Sequence, residues 1–145
     1  MKISDILRHK TATSPKGVVT IAPSDTVTQL VAALAEHNVG ALIAVDGDRV
    51  VGIVSERDVV RRIAEQGPDV LDDAVDTIMT ASVVSCSSED SVDSIAETMT
   101  QRRIRHMPVI DGSELVGVVS IGDVVSSRIR QLETDRGQLE QYISG

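Results

Sequence analysis

The sequence predicts an α/β fold built from two copies of a β-α-β-β-α unit. One observation is a segment that occurs twice, since residues 50–60 return 65 positions later as residues 115–125. Each copy runs from an apolar stretch with an internal glycine into Ser-x-x-Asp and then into apolar positions at helical spacing, which indicates a buried strand followed by a helix. The other observation is that 41% of the chain is hydrophobic with no Phe or Trp. An aliphatic core of this kind favours strands beside amphipathic helices.

The length of 145 residues fits one domain, or equally two small half-domains that share a core. The repeat suggests the division. We predict a first repeat over 1–70, with an N-terminal lead-in helix, and a second over 71–145, with a connector and a C-terminal helix.

Composition excludes several classes of function. A net charge of −8 disfavours DNA or RNA as a partner, and the near absence of aromatic residues removes the platforms on which single strands stack. The single cysteine, Cys86, excludes an internal disulfide and a CxxC metal site. No apolar run approaches 18 residues and the first residues form no secretory signal, so we expect a soluble, cytoplasmic protein without a membrane partner.

The elements of the first repeat follow in order. Apolar residues at helical spacing predict a short helix at the N-terminus that ends in a polar loop over 9–17. Residues 18–21 form a predicted strand, and turn and cap signals at 23–25 precede a helix that starts near Val27. Strands over 41–45 and 50–54 are joined by a hairpin at Asp46-Gly47.

The second repeat begins after a connector. Gly67-Pro68 ends the helix that follows Ser55, and 71–79 form a short helical connector. Residues 18–60 then align with 83–125 without a gap, with 13 of 43 positions identical. After Val125, apolar positions continue at a 4-3 spacing that Arg136 interrupts. This tail helix either packs on its own domain or forms a dimer contact.

The Ser-x-x-Asp turn has two interpretations. Serine at a helix N-cap with an acid three residues later is typical of a capping box, which satisfies backbone N–H groups. A helix N-terminus also offers N–H groups and the positive end of the helix dipole to a phosphate. An aspartate there would repel phosphate but could accept hydrogen bonds from a ribose. Serine and aspartate together therefore suit a nucleotide as well as a cap.

The chain resembles a tandem pair of CBS domains, also called a Bateman module, in the form of a stand-alone bacterial-type CBS protein. The residues that carry the resemblance are 52–58, 117–123 and 106–111, which read GIVSERD, GVVSIGD and HMPVID. The resemblance implies two repeats packed about a pseudo-twofold axis, with two pairs stacking into a homodimer. It also implies regulation of an unknown protein by an adenosyl ligand bound between the repeats. We expect AMP or NAD(H), with ATP, ADP and S-adenosylmethionine in the wider class.

Carried over position by position, the resemblance implies two sets of ligand-binding residues. In each, the Ser and Asp of the turn hold phosphate and ribose, and backbone near the first two strands holds the base. The first set is Thr20, Ile21, Gly40, Ala41, Ser55 and Asp58; the second is Ser85, Cys86, Arg105, His106, Met107, Pro108, Ser120 and Asp123. To these the chemistry of the turns adds Arg57, and Gly122, which leaves room for a bulkier ligand.

Three of these residues bear on the phosphate. Arg57 lies in a first helical turn, where the dipole disfavours a cation unless an anion is near. It could instead pair with a neighbouring acid. Arg105 and His106 would supply the cation at the second turn, although nearby arginines also suit a helix C-terminus.

Two other functions compete with ligand sensing. One is an oligomerisation or interaction scaffold whose clefts hold no nucleotide. The other is an enzyme, which we do not expect because no nucleophile, base and orienting residue can be assigned together. Cys86 and His106 could be imagined as such a pair, but a buried, inert cysteine is the simpler interpretation. The three histidines show no metal-ligand spacing, so we expect no metal site.

Overall fold

The computed structural model describes residues 1–13 and 18–144. Five helices and five strands, with two short 3-10 helices between the repeats, alternate along these residues, and the predicted α/β class is confirmed. The helices are α1 Ile3–Thr13, α2 Val27–His37, α3 Glu56–Gln66, α4 Val92–Arg102 and α5 Ile121–Ser144, the strands are β1 Thr20–Ile21, β2 Ala41–Asp46, β3 Arg49–Ser55, β4 His106–Asp111 and β5 Glu114–Ser120, and the 3-10 helices span Pro68–Asp72 and Val75–Thr77.

Helix α1 is longer than predicted. The loop expected over 9–17 is helical as far as Thr13, and residues 14–17 lie outside the described residues. The polar side chains of residues 9–11 lie on a helix whose apolar side is buried, so their polarity did not mark its end.

The two repeats share their strand pairing to the residue. Strands β2 and β3 are antiparallel, with Ala41 opposite Ser55, and β4 and β5 are antiparallel, with His106 opposite Ser120. Both hairpins carry a register shift at the same place, after Ala44 and after Val109. The predicted hairpin turn is present, and Gly47 has the left-handed φ of 62° that such turns require. These repeats are related by a pseudo-twofold axis.

The first strand of each repeat is shorter than predicted: β1 covers only Thr20–Ile21 of the predicted 18–21, and the second repeat has still less. In the first repeat β1 pairs with β2 in parallel, whereas in the second a single parallel bridge joins Cys86 to Val109. The physical reason is Pro108, which stands where the first repeat has Ile43. Proline has no backbone N–H to donate to the neighbouring strand, so the ladder cannot extend.

Each lead-in segment packs on the repeat that it does not precede. Ile3 and Ile6 of α1 are fully buried in the core of the second repeat, while Val70 and Val75 of the 3-10 helices lie in the core of the first. Leu7 packs on Gly117 as Met79 packs on Gly52, where an added Cβ would fall within 2.6 Å and 2.5 Å of those side chains. The end of α1 is thereby placed beside the second Ser-x-x-Asp turn. The domain bounds 1–70 and 71–145 stay a prediction.

Helix α5 runs without a break through Arg136 and Gly137. Arg136 forms an ion pair with Glu140, 3.0 Å away on the next turn. Beyond the domain its apolar side chains are uncovered, since Leu139 is 59% and Ile143 75% exposed. The end of α5 from Leu139 onward therefore does not pack on its own domain, whereas the start of the tail does, since Ser127 is buried and Arg128 pairs with Asp93 of α4 at 2.8 Å. In the described residues we find no helix with the length and apolar character that crossing a membrane requires.

Candidate ligand sites at two strand-to-helix turns

The first turn joins β3 to α3 through a complete capping box. The Ser55 Oγ accepts a hydrogen bond from the Asp58 backbone N–H at 3.3 Å. In return, Asp58 Oδ2 accepts from the Ser55 N–H at 2.8 Å and from its hydroxyl at 3.0 Å. The cap interpretation is correct for this turn. Only one carboxylate oxygen is used, because Oδ1 of Asp58 has no hydrogen bond within the described residues.

The second turn joins β5 to α5 in the same way. The Ser120 Oγ accepts from the Asp123 N–H at 3.1 Å, and Asp123 Oδ2 accepts from the Ser120 N–H at 2.8 Å. Here Oδ2 also accepts from the Lys10 ammonium at 2.9 Å. Oδ1 of Asp123 again makes no hydrogen bond to a described residue. In both turns, capping the helix and receiving a sugar hydroxyl are compatible because they use different oxygens.

The strand starts predicted to contact the base lie directly beside these turns. The Gly40 carbonyl accepts from the Glu56 N–H at 3.0 Å, and the Arg105 carbonyl accepts from the Ile121 N–H at 2.8 Å. The Cys86 N–H donates to the Pro108 carbonyl at 3.0 Å. The fold thus brings the start of β2 and the start of β4 next to the Ser-x-x-Asp turn of their own repeat, whereas Ile21 and Cys86 pair further along, with Ala44 and Val109.

The burial of the predicted residues limits what each could offer a ligand. Five have buried side chains and could present only backbone, six are half-buried, and five are exposed. The buried residues are Ile21, Ala41, Cys86, Met107 and Pro108, the half-buried ones Gly40, Ser55, Asp58, His106, Ser120 and Asp123, and the exposed ones Thr20, Arg57, Ser85, Arg105 and Gly122. Arg57 pairs with neither adjacent acid among the ion pairs of the described residues.

The two repeats meet where His106 faces Gly40. A Cβ built on Gly40 would lie 3.4 Å from His106 Nε2 and 3.7 Å from Glu56 Oε1. Burial lowers the pKa of His106 because it disfavours the imidazolium, against the raising influence of Asp123 and Glu56. Glu56, which the sequence indicated only as part of a helix start, thus lies at the midline between the repeats.

Lowering the pH from about 7.5 to about 5.5 should destabilise the wild-type chain more than a His106→Asn variant. A folded pKa below the usual 6.5 means that the folded state binds fewer protons than the unfolded state. The free energy of unfolding therefore falls as the pH drops through that value. Urea unfolding at both pH values measures the difference, with His9 and His37 common to the two proteins. Equal pH dependence in the two would contradict a lowered pKa of His106.

Cys86 is buried, and its burial together with nearby Asp90 and Asp111 raises the pKa of the thiol to about 11. The thiol is therefore protonated near neutral pH and a poor nucleophile. Within residues 1–13 and 18–144, no group of three or more His, Cys, Asp or Glu side chains is arranged to hold a metal ion.

The family of the chain follows from these repeats and their turns. The family model of the CBS domain matches the chain twice, over residues 3–65 and 75–130. The chain belongs to the CBS-domain family. The resemblance to a tandem CBS pair is thereby confirmed, over almost the whole of a small chain.

Relatives of this CBS-domain protein agree in sequence and in structure. A mitochondrial CBS domain-containing protein of Arabidopsis thaliana is 34% identical over 148 residues, which span 99% of this chain and 72% of that protein. The crystal structure of a CBS-domain-containing protein from Agrobacterium tumefaciens matches with a TM-score of 0.82 and 37% identity, covering 88% of this chain and 99% of that one. A CBS domain pair solved with 5′-methylthioadenosine and S-adenosyl-L-methionine matches with a TM-score of 0.76 and 25% identity, covering 92% of this chain and 98% of that one.

Lys10 is the candidate functional residue that the sequence did not indicate. Its ammonium donates to the Val118 carbonyl at 2.7 Å and to Asp123, about 110 residues away along the chain. No local pattern signals this contact, because it depends on α1 packing against the second repeat. The repeated lead-in, in which Leu7 corresponds to Met79, was the one available clue.

Proposed function

We propose that this CBS-domain pair is a regulatory module that binds an adenosine-containing ligand at its two Ser-x-x-Asp turns. The observation that carries the proposal is that the two carboxylate oxygens of each aspartate differ in their hydrogen bonds. Oδ2 closes the capping box, while Oδ1 has no hydrogen bond among the described residues and lies at a helix N-terminus beside the start of β2 or of β4. A ribose hydroxyl can donate to Oδ1 without breaking the cap.

The same turns and the family support our proposal for the ligand class. AMP or NAD(H) is our first choice, because two unlike turns suit a mononucleotide and a dinucleotide, and ATP, ADP and S-adenosylmethionine complete the class. Arg57 would face a phosphate at the first turn, and Arg105 or His106 at the second. The relative solved with 5′-methylthioadenosine and S-adenosyl-L-methionine supports an adenosyl group. We further propose that the module acts in the cytoplasm, performs no catalysis itself, and signals to a protein still to be identified.

A thermal melt with AMP, ADP, ATP, NAD, NADH and S-adenosylmethionine tests this function. A ligand at 100 times its dissociation constant should stabilise the folded chain by about 2.7 kcal/mol. No shift with any of the six at millimolar concentration would favour the alternative, a scaffold without nucleotide. That alternative has one observation in its favour, because the Ser and Asp of both turns already have a structural role as helix caps.

We also propose that the module is a homodimer. Val60 on α3 is 65% exposed and Val125, its counterpart on α5, is 52% exposed. Beside Val60, an apolar groove lies between α2 and α3, lined by Val31, Leu34 and Val39 among others. Matching apolar helix faces on both repeats suit a symmetric contact with a second copy.

The dimer is expected to dissociate when both faces are charged. Val60→Glu combined with Val125→Glu should place four unpaired carboxylates in a two-fold contact, and sedimentation should then detect a monomer at tens of micromolar. Leu139→Glu is the matched control on the tail helix. Dissociation by the control alone would place the contact on the tail, and a monomeric wild-type chain would refute the dimer.

A further inference from the structure

A groove between α1 and α5 brings two cations, Lys10 and Arg130, beside the second Ser-x-x-Asp turn. It has a volume of about 220 Å³ and is lined by Ile6, His9, Lys10, Asp123, Ser126 and Arg130. None of these except Asp123 belongs to the predicted ligand sets. Arg130 is half-buried and forms no ion pair within the described residues. The concentration of basic groups is notable because the chain as a whole carries a charge of −8.

The first repeat does not have this excess of basic residues at the matching positions. The repeat offset of 65 aligns Asp123 with Asp58, Ser126 with Arg61 and Arg130 with Glu65. Aligning Leu7 with Met79, which pack on equivalent glycines, aligns His9 and Lys10 with Ala81 and Ser82. At these positions the first repeat has two acids, Asp58 and Glu65, and one base, Arg61. The second repeat has two bases, Lys10 and Arg130, and one acid, Asp123.

Lys10 also makes a contact within the fold that needs no ligand to explain it. Its ammonium donates to the carbonyl of Val118. In the first repeat the equivalent carbonyl, that of Ile53, accepts from the backbone N–H of Thr80 at 2.9 Å. Lysine thus replaces a backbone donor at this strand edge. That contact explains one bond of Lys10 but neither its ion pair with Asp123 nor the position of Arg130 across the groove.

We infer that Lys10 and Arg130 form a phosphate subsite, alongside the proposed role of Arg105 or His106, and that this subsite makes the second turn select phosphorylated nucleosides. The inference rests on the proposed function, because the ribose of the same ligand is taken to occupy Oδ1 of Asp123. Lys10 lies 2.9 Å from Oδ2 of that carboxylate, so its ammonium is adjacent to the sugar position. Arg130 lines the opposite side of the groove and offers a planar donor that fits phosphate oxygens. The subsite is supplied by the end of α1 and by Arg130 on the third turn of α5, so it exists only in the second repeat.

Calorimetric titration in a background that silences the first turn isolates the second. The background carries Arg57→Ala and Asp58→Ala, and the probes are AMP, adenosine and inorganic phosphate. Lys10→Met should weaken AMP roughly tenfold, because a charged hydrogen bond at a half-exposed site is lost, and should leave adenosine nearly unchanged. Lys10→Arg should restore AMP affinity. Lys2→Met is the matched control, since it removes a lysine next to the other end of α1 that pairs with Glu89 at 2.8 Å.

The outcomes separate this inference from the function on which it rests. If Lys10→Met lowers the affinities for AMP and adenosine equally, or lowers neither, the phosphate subsite is wrong. The proposed function would still stand in that case, provided that the background protein binds AMP. A wild-type chain that binds neither AMP nor adenosine would overturn both. Inorganic phosphate that binds as tightly as AMP would remove the link to the nucleoside. Arg130→Gln, which leaves the Val118 contact intact, gives the same comparison if Lys10→Met fails to fold.

Discussion

Asp58→Ala is expected to weaken adenosine binding at the first turn by about 10- to 100-fold, and Asp123→Ala should do the same at the second. Each substitution removes the carboxylate oxygen proposed to accept a ribose hydroxyl, a loss of about 1.5–3 kcal/mol for a hydrogen bond to a charged group. Calorimetric titration of adenosine into each variant measures the effect. Adenosine is the informative probe because it carries no phosphate that could bind elsewhere.

The matched controls are Asp25→Ala and Asp90→Ala. Asp25 Oδ2 accepts from the Ala22 N–H at 3.1 Å, and Asp90 Oδ2 accepts from the Ser87 N–H at 2.8 Å. They lose the same kind of hydrogen bond, to a backbone N–H three residues earlier, but lie outside the proposed turns. If all four variants bind adenosine alike, the two turns are helix caps and nothing more.

Ile6→Ala is expected to destabilise the chain by about 2–5 kcal/mol, the usual range for truncating a large buried aliphatic side chain. Ile6 is 1% exposed and packs in the core of the second repeat, although α1 precedes the first repeat along the chain. Urea unfolding followed by circular dichroism measures the loss. Much of the stability of an ordinary domain would be lost by this one change.

Leu139→Ala is the control for Ile6→Ala. Leu139 is 59% exposed on the tail helix, so its truncation should change the free energy of unfolding by no more than about 0.5 kcal/mol. A similarly small loss for Ile6→Ala would mean that α1 is not integral to the second repeat. The position of Lys10 beside Asp123 would then lose its basis as well.

The features predicted correctly from the sequence are those with local chemical signatures. Ser55 and Asp58 form the capping box that their spacing indicates, and Gly47 has the backbone conformation that its hairpin requires. Because the two repeats align without a gap, the strands and helices predicted for one repeat also predicted those of the other. Pro108 shows the limit of that reasoning, since one residue without an N–H reduced a predicted strand to a bridge.

The features that were not predicted depend on contacts between distant segments. The polarity of residues 9–11 suggested a loop, whereas α1 continues to Thr13, with Lys10 bonded to Val118 and Asp123 of the second repeat. Similarly, Lys10 looks like a solvated lysine until α1 is known to pack on the second repeat. Glu56 was indicated only as a helix start, because nothing local shows that Gly40 and His106 meet beside it.

Titration of AMP into the wild-type chain and into an Asp58→Ala/Asp123→Ala double variant tests ligand sensing most directly. We expect the wild-type chain to bind AMP, and the double variant, folded by circular dichroism, to bind it at least about tenfold more weakly at both turns. Equal AMP affinity in the two proteins, or no binding by the wild-type chain at millimolar AMP, would contradict nucleotide recognition by the Ser-x-x-Asp turns.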